Sequence, residues 1–158
     1  MLAAICVSIQ KEDEALQVLH FTLEKFPNMP EAFLALGRIY SKRQAWSKAS
    51  EYHGHALRKT DKKELVIAAS LGAGVAMYNL GQRTEAIKIM SVMTTFDPPP
   101  DSLSQHRYFK ALVTLGSVMS QEGLKVEALE LLRKAGKYEP MVEKVMIPQL
   151  EEEIRRRG

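Results

Sequence analysis

The chain lacks most features that would place it in an oxidising compartment or a membrane. It has 158 residues and one cysteine, Cys6, so no disulfide can form within it. No apolar run approaches the roughly 20 residues that a membrane-spanning helix needs. The apolar opening, residues 2–9, has no basic segment before it and no cleavage motif after it, which argues against a secretory signal peptide. These absences predict a soluble intracellular protein of the cytoplasm.

The motifs of common enzymes and metal sites are also absent. No GxxxxGK(S/T), HExxH, GxSxG or paired CxxC occurs. Gly72-Ala73-Gly74 lies inside a predicted helix, where small residues favour close helix packing over phosphate binding. His53 and His55 are two residues apart on a predicted helix, so their side chains diverge and cannot share a metal. We therefore expect no catalytic residue, no cofactor and no metal.

Charge gives no strong indication of a nucleic-acid partner. The net charge is only +3, and 26% of the residues are charged. The basic run Arg155 to Arg157 follows the acidic run Glu151 to Glu153, as expected for a solvated helix surface. RNA binding is therefore a third option, behind two kinds of protein interaction, because it would need a basic stripe.

An internal repeat is the strongest positive feature. Equivalent alanines recur 34, 37 and 42 residues apart, at Ala15, Ala49, Ala86 and Ala128. Small residues lie twelve positions before them, namely Ala3, Gly37, Gly74 and Gly116. Gly81 and Gly123 lie five positions before the last two, where a turn between helices needs a left-handed residue. Pro27, Pro98 and Pro140 lie twelve positions after three of the alanines, where they would end a helix.

The segment Phe33–Tyr40 carries the clearest copy. It reads FLALGRIY and is followed by Ala49 and Ala56, so that the pattern is F-x2-L-G-x2-Y…A…A. This pattern resembles the tetratricopeptide repeat (TPR), and the register covers nearly the whole chain. The resemblance implies that His53 occupies a slot where the family prefers an aromatic residue, so we expect His53 to be a packed substitute for one. The resemblance implies an all-α fold, a right-handed superhelix of about four helix pairs with the first truncated and a C-terminal capping helix.

The same register gives the domain organisation. We expect one array over residues 1–158, with repeats at about 1–29, 30–63, 64–100 and 101–140 and a capping helix at 141–157. The predicted helices are Met1–Gln10, Glu12–Lys25, Pro30–Arg43, Trp46–Lys59, Lys63–Leu80, Arg83–Thr95, Ser102–Gln121, Lys125–Lys137 and Met141–Arg157.

The two ends and one junction depart from the pattern. Asp101 or Ser102 should cap a helix that starts early, which makes that helix longer than its counterparts. Pro148 should kink or split the last helix, whose apolar face would hold Val142, Val145, Met146, Leu150 and Ile154. At the N-terminus nothing shields Leu2, Ile5 and Ile9. Either the chain was cut from a longer array, which we favour, or another surface covers that end.

The resemblance also implies where a partner would bind, because the first helix of each TPR unit lines a concave groove. By register the groove residues are Leu34, Arg38, Lys42, Leu71, Val75, Tyr78, Asn79, Lys110, Val113, Thr114, Ser117 and Gln121. The family's clamp for the C-terminal carboxylate of chaperones is missing, since its slots hold Leu34, Gly72 and Arg38. An apolar and basic groove suits a peptide or helix with hydrophobic and acidic residues.

Two functional hypotheses remain. The first is a non-catalytic scaffold or adaptor that binds a peptide or helix of a partner protein in the groove. The alternative is a structural segment of a longer helical-repeat array in a multiprotein complex, which contacts mainly its neighbouring repeats. The sequence names neither the partner nor the pathway.

Overall fold

The computed structural model describes residues 2–157, with side chains from residue 10 onward, and every regular element in this part is helical. In chain order the elements are α1 (Leu2–Lys25), α2 (Pro30–Lys42), α3 (Trp46–Arg58), α4 (Lys63–Asn79), α5 (Arg83–Ser91), a 3₁₀ turn (Val92–Thr95), α6 (Ser102–Gln121), α7 (Lys125–Gly136), a π-helical turn (Val142–Met146) and α8 (Ile147–Arg157). The predicted all-α fold class is confirmed.

The helices form two compact units, Met1–Gln82 and Arg83–Gly158. In the first unit α3 packs against both α2 and α4, α2 also contacts α4, and α1 packs along α2. In the second unit α6 pairs with α7, and α7 packs against α8 and the π-helical turn. The boundary falls between the two helices of the predicted third repeat, and the single array over 1–158 stays a prediction.

Small residues allow these helices to approach closely. Three of the repeat alanines, Ala49, Ala86 and Ala128, are fully buried. Gly81 and Gly123 have φ angles of 81° and 86° in the turns before α5 and α7, as predicted. Their left-handed conformation costs glycine little because it has no Cβ.

The N-terminal helix pair is a correction. Met1–Gln10 and Glu12–Lys25 were expected to form two helices, but α1 is one continuous helix of 24 residues. Good helix formers follow Gln10 without a glycine or proline, so the helix can continue through this position. The predictions for the side chains of Leu2, Ile5 and Ile9 lie outside the described residues.

The departures predicted near the C-terminus are largely confirmed. The Asp101 carboxylate accepts a hydrogen bond from the Ser104 backbone N–H at 2.7 Å, and α6 is 20 residues long, against 13 in α2. The last helix is split before Pro148, where the Ile147 N–H bonds to the Val142 carbonyl across the π-helical turn.

Val145 was predicted to lie on the apolar face of the last helix, but its side chain is 37% exposed. The π-helical turn holds more residues per turn than an α-helix, and this rotates Val145 away from the face that Val142 and Leu150 bury.

Candidate protein-interaction site

A histidine ring joins three helices of the first unit. His53 on α3 is 2% exposed, and its ring lies between Gly37 of α2 and Gly72 of α4. A Cβ atom at Gly37 would lie 2.7 Å from the ring, and one at Gly72 would lie 2.5 Å from it. The prediction that His53 is a packed substitute for an aromatic residue is confirmed, and so is the packing role of Gly72.

Burial keeps this ring neutral. Loss of hydration is the largest cause that lowers the pKa of His53 to about 4, the Arg38 charge adds to it, and the Gly37 backbone opposes it. Nε2 lies 3.4 Å from the Ser41 hydroxyl, whereas Nδ1 has no hydrogen-bond partner among the described atoms. A buried neutral ring at this position acts as a spacer between helices.

The surface near the buried His53 ring carries the predicted binding residues of α2 and α4. Arg38 follows Gly37 and Leu71 precedes Gly72, so both lie at the level of the His53 ring on neighbouring helices. Arg38 is exposed and makes no ion pair within the described part of the chain, whereas Leu71 is half-buried. A free cation beside partly exposed apolar side chains is suited to an amphipathic partner.

Two other predicted residues of this surface have different roles. Leu34 was predicted to line the groove, but it is 5% exposed and packs with Ala56 and Ala69 in the core. Lys42 is exposed but its ammonium group pairs with the Glu12 carboxylate of α1. Leu34 therefore cannot contact a partner directly, and Lys42 could do so only in competition with α1.

The remaining predicted residues of α4 stay at the surface. Val75 and Tyr78 are half-buried, and Asn79 is exposed. The Asn79 amide donates to the Val75 carbonyl at 2.8 Å, so one of its donors is already used within the helix.

The predicted residues of α6 belong to the second unit and are considered separately. Lys110 and Gln121 are exposed, while Val113, Thr114 and Ser117 are half-buried. The Thr114 hydroxyl donates to the Lys110 carbonyl at 3.0 Å. This face combines polar ends with a partly apolar middle.

Ion pairs attach α1 to the C-terminal end of α2. Arg43 donates to Glu12 at 3.1 Å and to Asp13 at 2.7 Å. Hydrogen bonds from Lys42 and Arg43 lower the pKa of Glu12, and the bonds to Asp13 and Glu12 raise the pKa of Arg43. These pairs fix the acidic start of the predicted second helix beside α2.

The structure also shows a groove between α1 and α2 that the sequence prediction missed. It has a volume of about 650 Å³. Its lining consists of small or apolar side chains with a few charges, namely Lys11, Glu14, Ala15, Val18, Leu19, Ala35, Arg38 and Ile39.

Aromatic rings form a second surface cluster between α2 and α3. Tyr40 stacks on Tyr52 with ring centroids 5.3 Å apart, and Phe33 stacks on His55 at 5.2 Å. Burial raises the pKa of Tyr52, and the nearby Tyr40 and Glu51 add to the effect. Because these rings stack mainly on one another, the cluster stabilises the α2–α3 pair.

Known proteins resemble this chain in sequence and in fold. No protein-family model matches the chain. The chain is 28% identical over 147 residues to ALBINO3-like protein 3, mitochondrial, from Arabidopsis thaliana, which covers 88% of this chain and 26% of that protein. For ALBINO3-like protein 2, chloroplastic, from the same plant, the values are 28% over 150 residues, 90% and 28%. The chain thus spans about a quarter of the length of the curated relatives it matches.

A solved structure supports the TPR-like fold. The protein YrrB, described as a TPR protein with an unusual peptide-binding site, superposes with a TM-score of 0.65 and 19% identity. The match covers 87% of this chain and 66% of YrrB. The chain therefore has the all-α helical-repeat fold of the TPR class.

The described residues also bear on membranes and metals. No helix in that part is both long enough and apolar enough to cross a bilayer. Within the same residues, no group of three or more His, Cys, Asp or Glu side chains is placed to hold a metal ion.

Proposed function

We propose that the chain is a non-catalytic protein-interaction region that binds a peptide or helix of a partner protein. The single observation that carries the proposal is Arg38, an exposed cation without an ion pair in the described chain, on a helix that packs against α4, the helix of the half-buried Leu71 and Val75. Its partner would present hydrophobic residues to the α2–α4 face and an acidic residue to Arg38. The TPR-like fold supports this role, and YrrB is itself described as peptide-binding.

Each unit would use its own face. In the first unit the proposed contacts are Arg38, Leu71, Val75, Tyr78 and Asn79. In the second unit they are Lys110, Val113, Thr114, Ser117 and Gln121. Lys42 would contribute only when its pair with Glu12 opens.

The test uses a fluorescein-labelled amphipathic model peptide with Leu on one face and Glu on the other, measured by fluorescence anisotropy. Arg38→Glu should weaken binding at least tenfold, because it replaces an attraction with a repulsion beside the apolar contact. The control Lys48→Glu makes the same charge change on α3, where Lys48 lies over the Tyr40 ring, and should alter binding less than twofold.

A peptide of opposite charge provides a second measurement. The same peptide with Lys in place of Glu should bind Arg38→Glu better than the unchanged chain. Equal effects of Arg38→Glu and Lys48→Glu would show that only net charge matters, and the proposed face would then be wrong.

A second candidate function follows from the relatives. The match covers 88–90% of this chain but only 26–28% of the ALBINO3-like proteins, which favours a helical-repeat segment of a longer protein of that kind. The relatives' names also favour a location in a mitochondrion or chloroplast. The cytoplasmic location expected from the sequence stays a prediction. Fractionating cells with an antibody to residues 10–157 tests this, since recovery in the cytosol alone would exclude the organellar proposal.

The same proposal predicts a gain in stability from neighbouring repeats. Extending the chain at its N-terminus should raise Tm by many degrees if its main contacts are with a preceding repeat. An unchanged Tm would favour a self-contained interaction region.

A further inference from the structure

The C-terminal half of α2 and the residue after it carry one open cation and two that α1 neutralises. Arg38 makes no ion pair within the described chain, whereas Lys42 pairs with Glu12 of α1. Arg43, which follows α2, donates to Glu12 at 3.1 Å and to Asp13 at 2.7 Å. Arg38 and Lys42 are four residues apart, so their side chains are neighbours on one face of α2. Carboxylates of α1 thus occupy cations next to the residue that carries the proposed function.

These carboxylates show which kind of ligand the basic end of α2 accepts. Glu12 binds Lys42 through Oε1 and Arg43 through Oε2, so each of its carboxylate oxygens meets one cation. Hydrogen bonds from Lys42 and Arg43 lower the pKa of Glu12, which keeps it ionised at neutral pH. The ligand that this end of α2 binds within its own chain is therefore an acidic helix.

The same pairs are open enough to water to be exchanged for others. The Lys42 side chain is 67% exposed, and that of Asp13 is 56% exposed. Ion pairs at such positions contribute little to stability, because water and salt screen them. A carboxylate from another protein can therefore replace Glu12 on Lys42 while the helices stay folded.

We propose that Glu12 and Asp13 are an internal competitor for an acidic partner helix, whose two carboxylates lie one helical turn apart and bind Arg38 and Lys42. Four residues rise about 6 Å along a helix, so glutamates at i and i+4 of the partner match the spacing of the two cations. The second glutamate reaches Lys42 only by displacing Glu12, which holds the affinity below that of the free basic face. This inference rests on the proposed function, because it concerns the partner of the same Arg38 face.

Two fluorescein-labelled helical peptides of identical composition test the spacing. Both have the same leucine face, and their two glutamates lie at i and i+4 in one peptide and at i and i+2 in the other, where the side chains point apart. Glu12→Gln/Asp13→Asn removes both competing charges with little change in shape. By fluorescence anisotropy it should bind the i,i+4 peptide about fivefold more tightly than the unchanged chain does, and the i,i+2 peptide less than about twofold more tightly.

Two further variants control for charge and for the cation involved. Glu24→Gln/Asp61→Asn makes the same two chemical changes at exposed positions, in the last turn of α1 and in the α3–α4 loop. It should change the affinity for either peptide less than about twofold. Adding Lys42→Gln to the Glu12→Gln/Asp13→Asn chain should remove the gain. Equal gains in the two double variants, equal gains for the two peptides, or a gain that survives Lys42→Gln would each overturn the inference.

Arg38→Glu separates this inference from the proposed function. If Arg38→Glu leaves the binding of both peptides unaltered, the proposed face is wrong, and the competitor is wrong with it. If Arg38→Glu weakens binding about tenfold while Glu12→Gln/Asp13→Asn gains nothing, the face is right and the competitor alone is wrong.

The unchanged chain provides a direct measurement of the displacement. The pKa of Glu12, followed through its ¹³C carboxyl signal by NMR, is lowered in the free chain by Lys42 and Arg43. Saturation with the i,i+4 peptide should raise this pKa, because Glu12 loses a cation to the peptide. A Glu12 pKa that is the same in the free and the bound chain would show that α1 keeps its ion pairs, which contradicts the proposed competition.

Discussion

The two units hold their helices together by the same repeat position but with different side chains. In the first unit the glycines Gly37 and Gly72 enclose a flat, buried imidazole, and in the second unit Gly116 rests on the flexible Leu132. The imidazole is confined from two sides, whereas the leucine has one close glycine neighbour and can change rotamer. One repeat position can therefore be rigid in one unit and adaptable in the other.

The largest expected effect comes from filling the space beside the imidazole. Gly72→Ala places a Cβ 2.5 Å from His53, and the ring cannot move away because Gly37 lies on its other side. We expect a loss of about 3 kcal/mol in the free energy of unfolding, measured in urea by the fluorescence of Trp46, the one tryptophan, which lies in the first unit.

Gly116→Ala is the matched change in the second unit. The added Cβ would lie 3.1 Å from Leu132, which can move by a few tenths of an ångström. We expect a loss of about 1 kcal/mol or less, measured by far-UV circular dichroism. Equal losses in the two variants would show that the contact at His53 is no more rigid than the contact at Leu132.

The second effect is the dependence of stability on pH, between pH 7 and pH 5, that His53 gives to the first unit. The pKa of His53 is lowered to about 4 from 6.5, so below pH 6.5 the unfolded chain takes up a proton that the folded chain does not. This contribution to stability is complete above pH 6.5 and is lost as the pH falls from 6.5 to about 4. Between pH 7 and pH 5 the loss should be roughly 2 kcal/mol.

A variant isolates this contribution. His53→Phe keeps an aromatic ring in the slot, removes the unpaired Nδ1 and cannot take up a proton. The difference between its unfolding free energy and that of the unchanged chain should grow as the pH falls from 7 to 5. A constant difference would show that His53 is not the source of the acid sensitivity.

The smallest effect concerns helix N-termini. In the second unit Asp101 caps α6 through Ser104, whereas α2, α3 and α4 of the first unit have no side-chain cap. Asp101→Ala should cost about 1 kcal/mol. Lys62→Asp, at the extended N-cap of α4, should gain up to about 1 kcal/mol, both measured by urea unfolding.

The prediction would be contradicted by a loss of stability in Lys62→Asp beyond that of Lys62→Ala. Lys62→Ala removes the long pair with Glu31, at 3.9 Å, without adding a cap. The comparison between the two variants therefore separates the effect of the added carboxylate from the loss of the Lys62–Glu31 pair.

The sequence predicts the fold well where local chemistry decides the structure. Gly81, Gly123, Asp101 and Pro148 each mark a turn, a cap or a break at their own position, and the structure has these features there. The burial of His53 follows in the same way, since its slot in the repeat is an aromatic one.

The sequence predicts less where two alternatives are close in energy. The break expected near Gln10 depends on a turn that no glycine or proline enforces, and α1 stays continuous. The burial of Leu34 and the pairing of Lys42 with Glu12 depend on side-chain rotations and on a neighbouring helix, which the repeat register does not specify. Candidate binding residues therefore need the packed structure, even where the fold does not.

The π-helical turn at Val142–Met146 makes the C-terminal end sensitive to changes in length. Its i→i+5 hydrogen bond means that one extra residue is accommodated before Pro148. Deleting one residue there would shift the register of α8 by one residue and turn it by about 100°. Leu150, now 5% exposed, would leave the core and a glutamate would approach it, so this segment should tolerate substitutions far better than deletions.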